Sequence, residues 1–336
     1  MAKEVKRKTD WDTVDLAMQY DERAKKVLGY KTVLAFILSK TVAEFKGKRI
    51  QDIMELIEDE VHIGTVPVDP GHTNTVKGER ITGLNTEDIE TNEGMIRYDI
   101  LFKVRASRKS KKSYGIIINI EMQKGKPKSY RLSNRAIFYA CRLISAQKQR
   151  EFKHMKFNDM VKVYSIWIVS GMKGNSVNHI HFVQDTLYGS YKWAGVDMVN
   201  IVIAGITGEA GETVDETGRK GAEGKELCRM LNTLFASNLN NEERFRILSD
   251  DFDIIVDEGL REEVEVMCNL GQGLLEKGEK RGEKRGEKRG IKKTKVEAII
   301  NFYKVGANLI MIAQAMDETE EKIKKILLEN GVELDH

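Results

Sequence analysis

Two stretches of strict alternation stand out in the pattern of hydrophobic and polar positions. In residues 95–104 the even positions Ile96, Tyr98, Ile100, Phe102 and Val104 are apolar, and Arg97, Asp99 and Lys103 fall on odd ones. In residues 114–123 the even positions are Tyr114, Ile116, Ile118, Ile120 and Met122, and the odd ones include Asn119, Glu121 and Gln123. A period of two predicts two strands, each with an apolar face directed to a core. The segment RASRKSKKS between them holds five basic residues and no acid and reads as a hairpin loop.

Elsewhere the period lengthens. Leu34, Ile37, Leu38, Val42 and Phe45 fall three and four apart and predict a helix from Asp21 to Phe45. A short helix is expected from Ile50 to Glu58, and residues 62–94, rich in Gly, Thr and Asn, read mostly as loop. Pro127 suits the first turn of a helix running to about Gln149. Val161–Val169 is apolar on both faces and predicts a central strand, with another at Asp197–Gly205. The order helix, hairpin, helix, strand predicts an α/β or α+β sheet domain.

The chain divides by pattern into a charged lead-in (1–22), a sheet domain (23–206), a Gly-rich linker (207–224), a helical region (225–277), a tether (278–290) and a small helical tail (291–336). Residues 278–289 are GEKR three times. A Gly in each turn costs about 0.8–1.0 kcal/mol against Ala, so this predicts a marginal helix or a flexible tether. The tail is expected to break at Gly306 and to cap at Asp317.

Composition narrows the class. At 41% hydrophobic the 336 residues can bury a real core, which excludes wholesale disorder. No apolar run approaches the roughly 18 residues of a membrane span, and the basic N-terminus has no apolar stretch behind it, so no membrane partner and no secretory signal are expected. Cys141, Cys228 and Cys268 are widely spaced without a CxxC, which argues against a disulfide framework or zinc site and fits a cytoplasmic location. The net charge of +3 hides a strong local field: residues 105–150 carry thirteen Lys or Arg against one acid, Glu121.

That acid is the focus of the candidate chemistry. Asp99, Glu121 and Gln123 are expected on the polar face of one hairpin. Glu44, seven residues after Ile37 and so about 20° from it round a helix, is expected at the border of the stripe packed on the sheet. Two carboxylates 5 Å apart repel by about 3 kcal/mol at an effective dielectric of 20. A hard divalent cation reverses that sign, activates water and neutralises charge on a phosphoryl oxygen. Arg131, Arg135 and Arg142, with Phe138, recur at 4-3-4 spacing on one helix face. A carboxylate pair in a positive field is what a metal-dependent phosphodiesterase needs. Blander readings stand beside this one: strand carboxylates commonly face solvent, and the Arg stripe could pair with acidic segments elsewhere. His179 and His181 alternate as ligands on a strand do, but no third ligand is evident, and Cys141 reads as a packed helix residue.

The stretches NTEDIETNEGMIRYDI (85–100), IIINIEMQ (116–123), YRLSNRAIFYACRLISAQ (130–147) and VKVYSIWI (161–168) resemble the recombination-promoting nuclease and transposase family of the PD-(D/E)XK nuclease superfamily, as does MCNLGQGLLEKG (267–278) with its charged repeats. The resemblance implies a restriction-endonuclease-like αβββαβ core followed by a helical C-terminal region. It also implies Mg²⁺ as cofactor, with Mn²⁺ able to substitute, and DNA as substrate. Asp99 matches the metal-binding Asp of the superfamily, Glu121 the acid of its (D/E)XK element, and Glu44 the acid often found on the first core helix. Gln123 stands where the superfamily motif has Lys, and a Gln orients water only by hydrogen bonds.

The expectation is therefore a Mg²⁺-dependent DNA endonuclease linked to recombination or mobile DNA. Asp99 and Glu121 hold the metal, Glu44 supports it and Gln123 positions water. Arg131, Arg135, Arg142, Lys109 and Lys111 contact DNA or brace the site. Two alternatives remain open: a nuclease fold weakened by its missing Lys that only binds DNA, and a scaffold that forms homo-oligomers through its C-terminal helices. The tail segment IAQAMDETEEKIKKI is similar to a helix-turn-helix, but its second helix, Glu318–Leu328, balances three acids with three bases and suits packing better than phosphate contact.

Overall fold

A computed structural model describes residues 2–57, 62–63, 87–90, 94–105, 115–148, 156–210 and 222–334. The chain falls into two compact units, residues 1–272 and 273–336.

In the first unit the elements begin with α1 (Ala2–Leu28), α2 (Lys31–Thr41) and α3 (Ile50–Met54). The strands β1 (His62–Ile63), β2 (Glu87–Glu90), β3 (Gly94–Arg97), β4 (Ile100–Arg105) and β5 (Gly115–Lys124) follow. Next come α4 (Leu132–Ser145), β6 (Val163–Ser170), β7 (Ser176–His181) and β8 (Val199–Gly205). Then α5 (Ala222–Phe235), α6 (Asn241–Phe252) and α7 (Glu258–Lys304) complete the order, the division between units falling within α7.

The molecule is mixed α/β, as expected, with a sheet at its centre and a long helical C-terminal region. The sheet has six strands in the order β1-β4-β5-β6-β8-β7. β4 and β5 pair antiparallel, β5, β6 and β8 run parallel, and β7 returns antiparallel at the edge. A parallel step needs a crossover, and α4 supplies it between β5 and β6. One sheet face, with Ile100, Phe102, Ile118, Ile120, Tyr164 and Ile166, packs on the helices before and after the sheet, including Leu34, Ile37 and Leu231. The other face lies under α4, whose Leu132, Ala136 and Ala140 meet Trp167, Val169 and Ile201.

Several expectations change. The lead-in is part of a helix: α1 starts at Ala2 and ends at Leu28, so the helix foreseen over Asp21–Phe45 is two, parted at Gly29–Tyr30. The strand foreseen over 95–104 is also two. β3 pairs with β2 in a separate two-stranded sheet, β4 pairs with β5, and Tyr98 and Asp99 lie between. Tyr98 consequently packs with Leu101 and Leu143, away from the Ile100–Phe102–Val104 face. The polar side of β5 does not face water, because α4 covers it. Of the two alternatives for the GEKR repeats, helix or tether, the structure takes the helix, since they lie inside continuous α7. Cys141 is exposed, not packed, because its side of α4 points away from the sheet. The hairpin tip, with Lys109 and Lys111, lies outside the described residues.

Arg244 shows how a buried charge is accommodated in this unit. Its guanidinium donates to the carbonyls of Thr233, Leu234, Ala236 and Leu239, at 2.8–2.9 Å. These include the carbonyls that the C-terminal turn of α5 leaves without helical partners.

The second unit is a small helical cluster. The end of α7 packs with α8 (Leu309–Met316) and α9 (Glu320–Glu329) around Ile299, Ile312, Ile323 and Leu327. Gly306 ends α7 at φ +92°, a conformation open to Gly. Asp317 closes α8 as a left-handed C-cap, and the N-cap of α9 is Thr319.

Candidate active site

The site begins where the β4–β5 ladder stops. The last paired residues are Ile100 and Ile120, so Asp99 and Glu121 would come next in register. Side chains take over the hydrogen bonding there. The Asp99 backbone N–H donates to Glu121 Oε1 at 3.2 Å, and the Met122 backbone N–H donates to Asp99 Oδ2 at 2.9 Å. Each carboxylate is thus fixed by backbone close to the other. Only 3% of Glu121 is exposed, since α4 and Trp167, its parallel partner on β6, close over it.

Burial, and then the neighbouring Asp99 charge, push the Glu121 carboxyl well above the usual carboxylate range. Burial raises Asp99 too, and the Lys25 ammonium only partly offsets it. Lys25 reaches in from α1, its Nζ 2.9 Å from Asp99 Oδ1 and 2.6 Å from Asp21 Oδ2. Burial lowers the Lys25 pKa, but the Asp99 and Asp21 carboxylates outweigh that and hold it above its ordinary value.

Gln123, two residues on from Glu121, faces α4. Arg135 Nη1 reaches Gln123 Oε1 at 3.5 Å and donates to the Tyr130 hydroxyl at 2.9 Å, while Nη2 donates to the Tyr139 hydroxyl at 2.9 Å. The guanidinium lies 4.9 Å from the Tyr139 ring centroid and 5.3 Å from that of Trp167, within cation–π range. Burial works against its charge, and the two tyrosine hydroxyls more than compensate. The Arg135 charge in turn favours ionised Glu121. Tyr139 stacks edge-on between Tyr98 and Trp167, which fixes the hydroxyl that holds the arginine.

Four expected site residues therefore meet: Asp99, Glu121, Gln123 and Arg135. Glu44 does not join them. Helix α2 stops at Thr41 and Val42 is extended, so the helical angle from Ile37 does not carry to Glu44, which sits in a 3-10 turn, Ala43–Phe45. It accepts from Lys162 Nζ at 2.6 Å and from the Tyr164 hydroxyl at 3.0 Å, and Lys162 also pairs with Asp197 at 2.5 Å. Tyr164 belongs to the sheet face opposite α4, so Glu44 lies across the sheet from Glu121. Arg142 is likewise removed from any DNA-contacting role: it is 6% exposed, on the inner side of α4. Arg131 is exposed at the N-cap of α4.

His179 and His181 lie on β7 with rings stacked at 4.5 Å, and His179 Nε2 meets Asn200 Oδ1 at 2.9 Å. Among the described residues no cluster of three or more His, Cys, Asp or Glu side chains suits a metal ion.

Lys25 and Tyr139 were not among the expected site residues; Lys124, Lys126 and Lys128, part of the basic window 105–150, are exposed and lead from Gln123 towards α4. The i,i+4 spacing of Asp21 and Lys25 was the available signal, but it names a pair and not its third partner.

Residues 91–185 match the model of the PD-(D/E)XK nuclease family transposases. The matched stretch contains Asp99, Glu121, Gln123 and Arg135 and excludes Lys25 and Glu44. No curated protein and no solved structure matches the chain. The match supports a nuclease or mobile-DNA role. No helix among the described residues is long and apolar enough to cross a membrane.

Proposed function

We propose that the protein is a divalent-metal-dependent endonuclease that hydrolyses phosphodiester bonds of DNA. One observation carries the reading: backbone hydrogen bonds fix the Asp99 and Glu121 carboxylates beside each other in a buried place that disfavours their charge. Such a pair fits a hard cation, which takes oxygen ligands and removes both the repulsion and the desolvation penalty. PD-(D/E)XK nucleases generally use divalent metals. Here Asp99 and Glu121 would hold Mg²⁺ or Mn²⁺, with water, backbone carbonyl or substrate phosphate supplying the other ligands. The bound ion supplies Lewis acidity for the phosphoryl group and lowers the pKa of a water.

The chain's own groups divide the remaining work. Gln123 accepts from Arg135 through Oε1, which leaves its amide N–H groups to orient a water beside Glu121. Arg135 is held rigid by Tyr130 and Tyr139 and offers positive charge to a phosphate oxygen. Lys124, Lys126, Lys128 and Arg131 form an exposed basic run beside the site, suited to the flanking backbone of DNA. Linkage to recombination or mobile DNA belongs to the same proposal.

The test is cleavage of supercoiled and linear duplex DNA by purified protein with Mg²⁺ or Mn²⁺, with Asp99→Ala and Glu121→Ala as controls. The expected result is nicking or cutting that needs the metal and vanishes in both variants. Salt-sensitive DNA binding without cleavage would mean a DNA-binding protein on a nuclease fold. Equal cleavage by both variants would place the chemistry elsewhere.

A further inference from the structure

Lys25, with its partner Asp21, lies outside the matched family stretch and was not expected at the site from the sequence. Its ammonium is shared between two carboxylates of unequal setting. Asp99 is mostly buried, its side chain 18% exposed, whereas the Asp21 side chain is 43% exposed. Asp21 and Lys25 are one turn apart on α1, so their contact is internal to a helix. Asp99 sits at the strand break, so its contact with Lys25 ties α1 to the sheet.

Asp99 has two oxygens, and Met122 N–H holds Oδ2 while Lys25 holds Oδ1. A divalent cation that takes Asp99 must compete with Lys25 for the carboxylate, and an ammonium left at 2.9 Å from Oδ1 would face it as a like charge. We propose that Lys25 is an exchangeable counter-ion: it neutralises Asp99 until a divalent cation takes that carboxylate, and Asp21 then retains the displaced ammonium at the edge of the site. This rests on Asp99 and Glu121 being the metal pair.

Held by Asp21 alone, the ammonium stays at the edge of the site, free of Asp99, and can meet a phosphate oxygen of the substrate. One lysine thus serves two partners in turn. Removing it affects metal and substrate in opposite directions, which a purely structural ion pair cannot do.

The experiment is calorimetric titration of the full chain with Mn²⁺, without DNA, comparing wild type with Lys25→Gln, Asp21→Asn and the double variant. Lys25→Gln is expected to bind Mn²⁺ about tenfold tighter, since competitor and like charge both disappear. Asp21→Asn is expected to bind about threefold weaker, because Lys25 loses its second anchor and holds Asp99 harder. Asp21 also acts directly on Asp99 through its charge, so the double variant is compared with Asp21→Asn: it should bind tighter than Asp21→Asn by at least the gain that Lys25→Gln shows over wild type. DNA cleavage by Lys25→Gln at saturating metal should nevertheless fall, and Lys25→Arg should restore part of it. Lys25→Gln that binds no tighter overturns the proposal, as does a double variant that binds no tighter than Asp21→Asn. If Lys25→Gln does not fold, Asp21→Asn decides, and unchanged affinity overturns the proposal. Absence of Mn²⁺ heat in the wild type, by contrast, would refute the metal-pair reading itself.

Discussion

Two acidic clusters lie on opposite faces of the same sheet, one partly exposed and one buried, and their charges are balanced differently. On one face Glu44 and Asp197 share Lys162, and Tyr164 gives Glu44 a further donor. Asp197 is held below its usual value by the Lys162 hydrogen bond. On the other face Asp99 and Glu121 have one ammonium between them, and it touches only Asp99. Glu121 is left with donation from the Asp99 backbone, a side-chain hydrogen bond from Asn119 and the more distant Arg135 charge, and burial still pushes it up. The satisfied cluster has no evident need of a further cation. The unsatisfied one has the electrostatic demand of a binding site. A carboxylate's position on an element therefore says less about function than whether the fold has already neutralised it.

Deleting one acid from each face should separate the two clusters most strongly. Glu121→Ala or Asp99→Ala should lower metal-dependent cleavage by about a thousandfold or more, since the site loses a metal ligand worth several kcal/mol. Glu44→Ala should cleave at close to the wild-type rate and instead lose about 1–3 kcal/mol of stability by denaturant titration. Activity lost in Glu44→Ala with stability intact would reunite the two clusters.

Arg135→Lys should follow, with cleavage reduced about 10–100-fold. A lysine keeps the charge but cannot span Tyr130 and Tyr139 as the planar fork does. DNA binding at fixed salt should change much less, so the two measurements together separate positioning from affinity.

Stability against pH should carry opposite signs on the two faces. The folded-state pKa of Glu121 is raised above its unfolded value, so the folded protein holds that proton more tightly. The resulting stability is full below the ordinary glutamate range and is lost as pH rises through the folded pKa. Glu121→Gln should therefore raise the melting temperature of metal-free protein at neutral pH and flatten this fall. Asp197 has a lowered pKa, so its contribution is present above the ordinary aspartate range and is lost as pH falls. Asp197→Asn should lower the melting temperature at neutral pH and not at strongly acid pH. Melting curves of both variants across pH would test the pair of signs.

The smallest effect concerns the basic run. Replacing Lys124, Lys126 and Lys128 by Gln one at a time should weaken DNA binding across all sequences alike. Each contacting lysine should reduce the slope of log affinity against log salt by about one.

Much of the central sheet was legible because its strands are short-range patterns. The Ile116–Ile118–Ile120 alternation named β5 and its apolar face, and the continuous apolar run named β6. Asp99 and Glu121 were legible for the same reason, with the family likeness pointing to the same pair. What failed were inferences that carried a period through a break. Glu44 was misplaced because α2 ends before it, and a helical angle has no meaning past the last helical residue. Tyr98 was assigned to the wrong face because the strand breaks beside it. The helical spacing of Arg135 and Arg142 leaves DNA contact and bracing equally open for Arg142, because spacing does not say which face a layer will cover; its burial closes off the first. Continuous α7 shows the converse: glycine at every turn of the repeat did not end the helix.

The α/β class, strands β5 and β6, a helix between them and the acids most worth testing follow from local periodicity and residue chemistry. Tertiary structure alone decided which charges were already neutralised. It brought Lys25 to Asp99 from 74 positions earlier in the chain, set Arg135 beside Gln123, and sent Glu44 to the other face. Those outcomes depend on how layers stack, and a carboxylate's desolvation and partners exist only once the layers have closed over it.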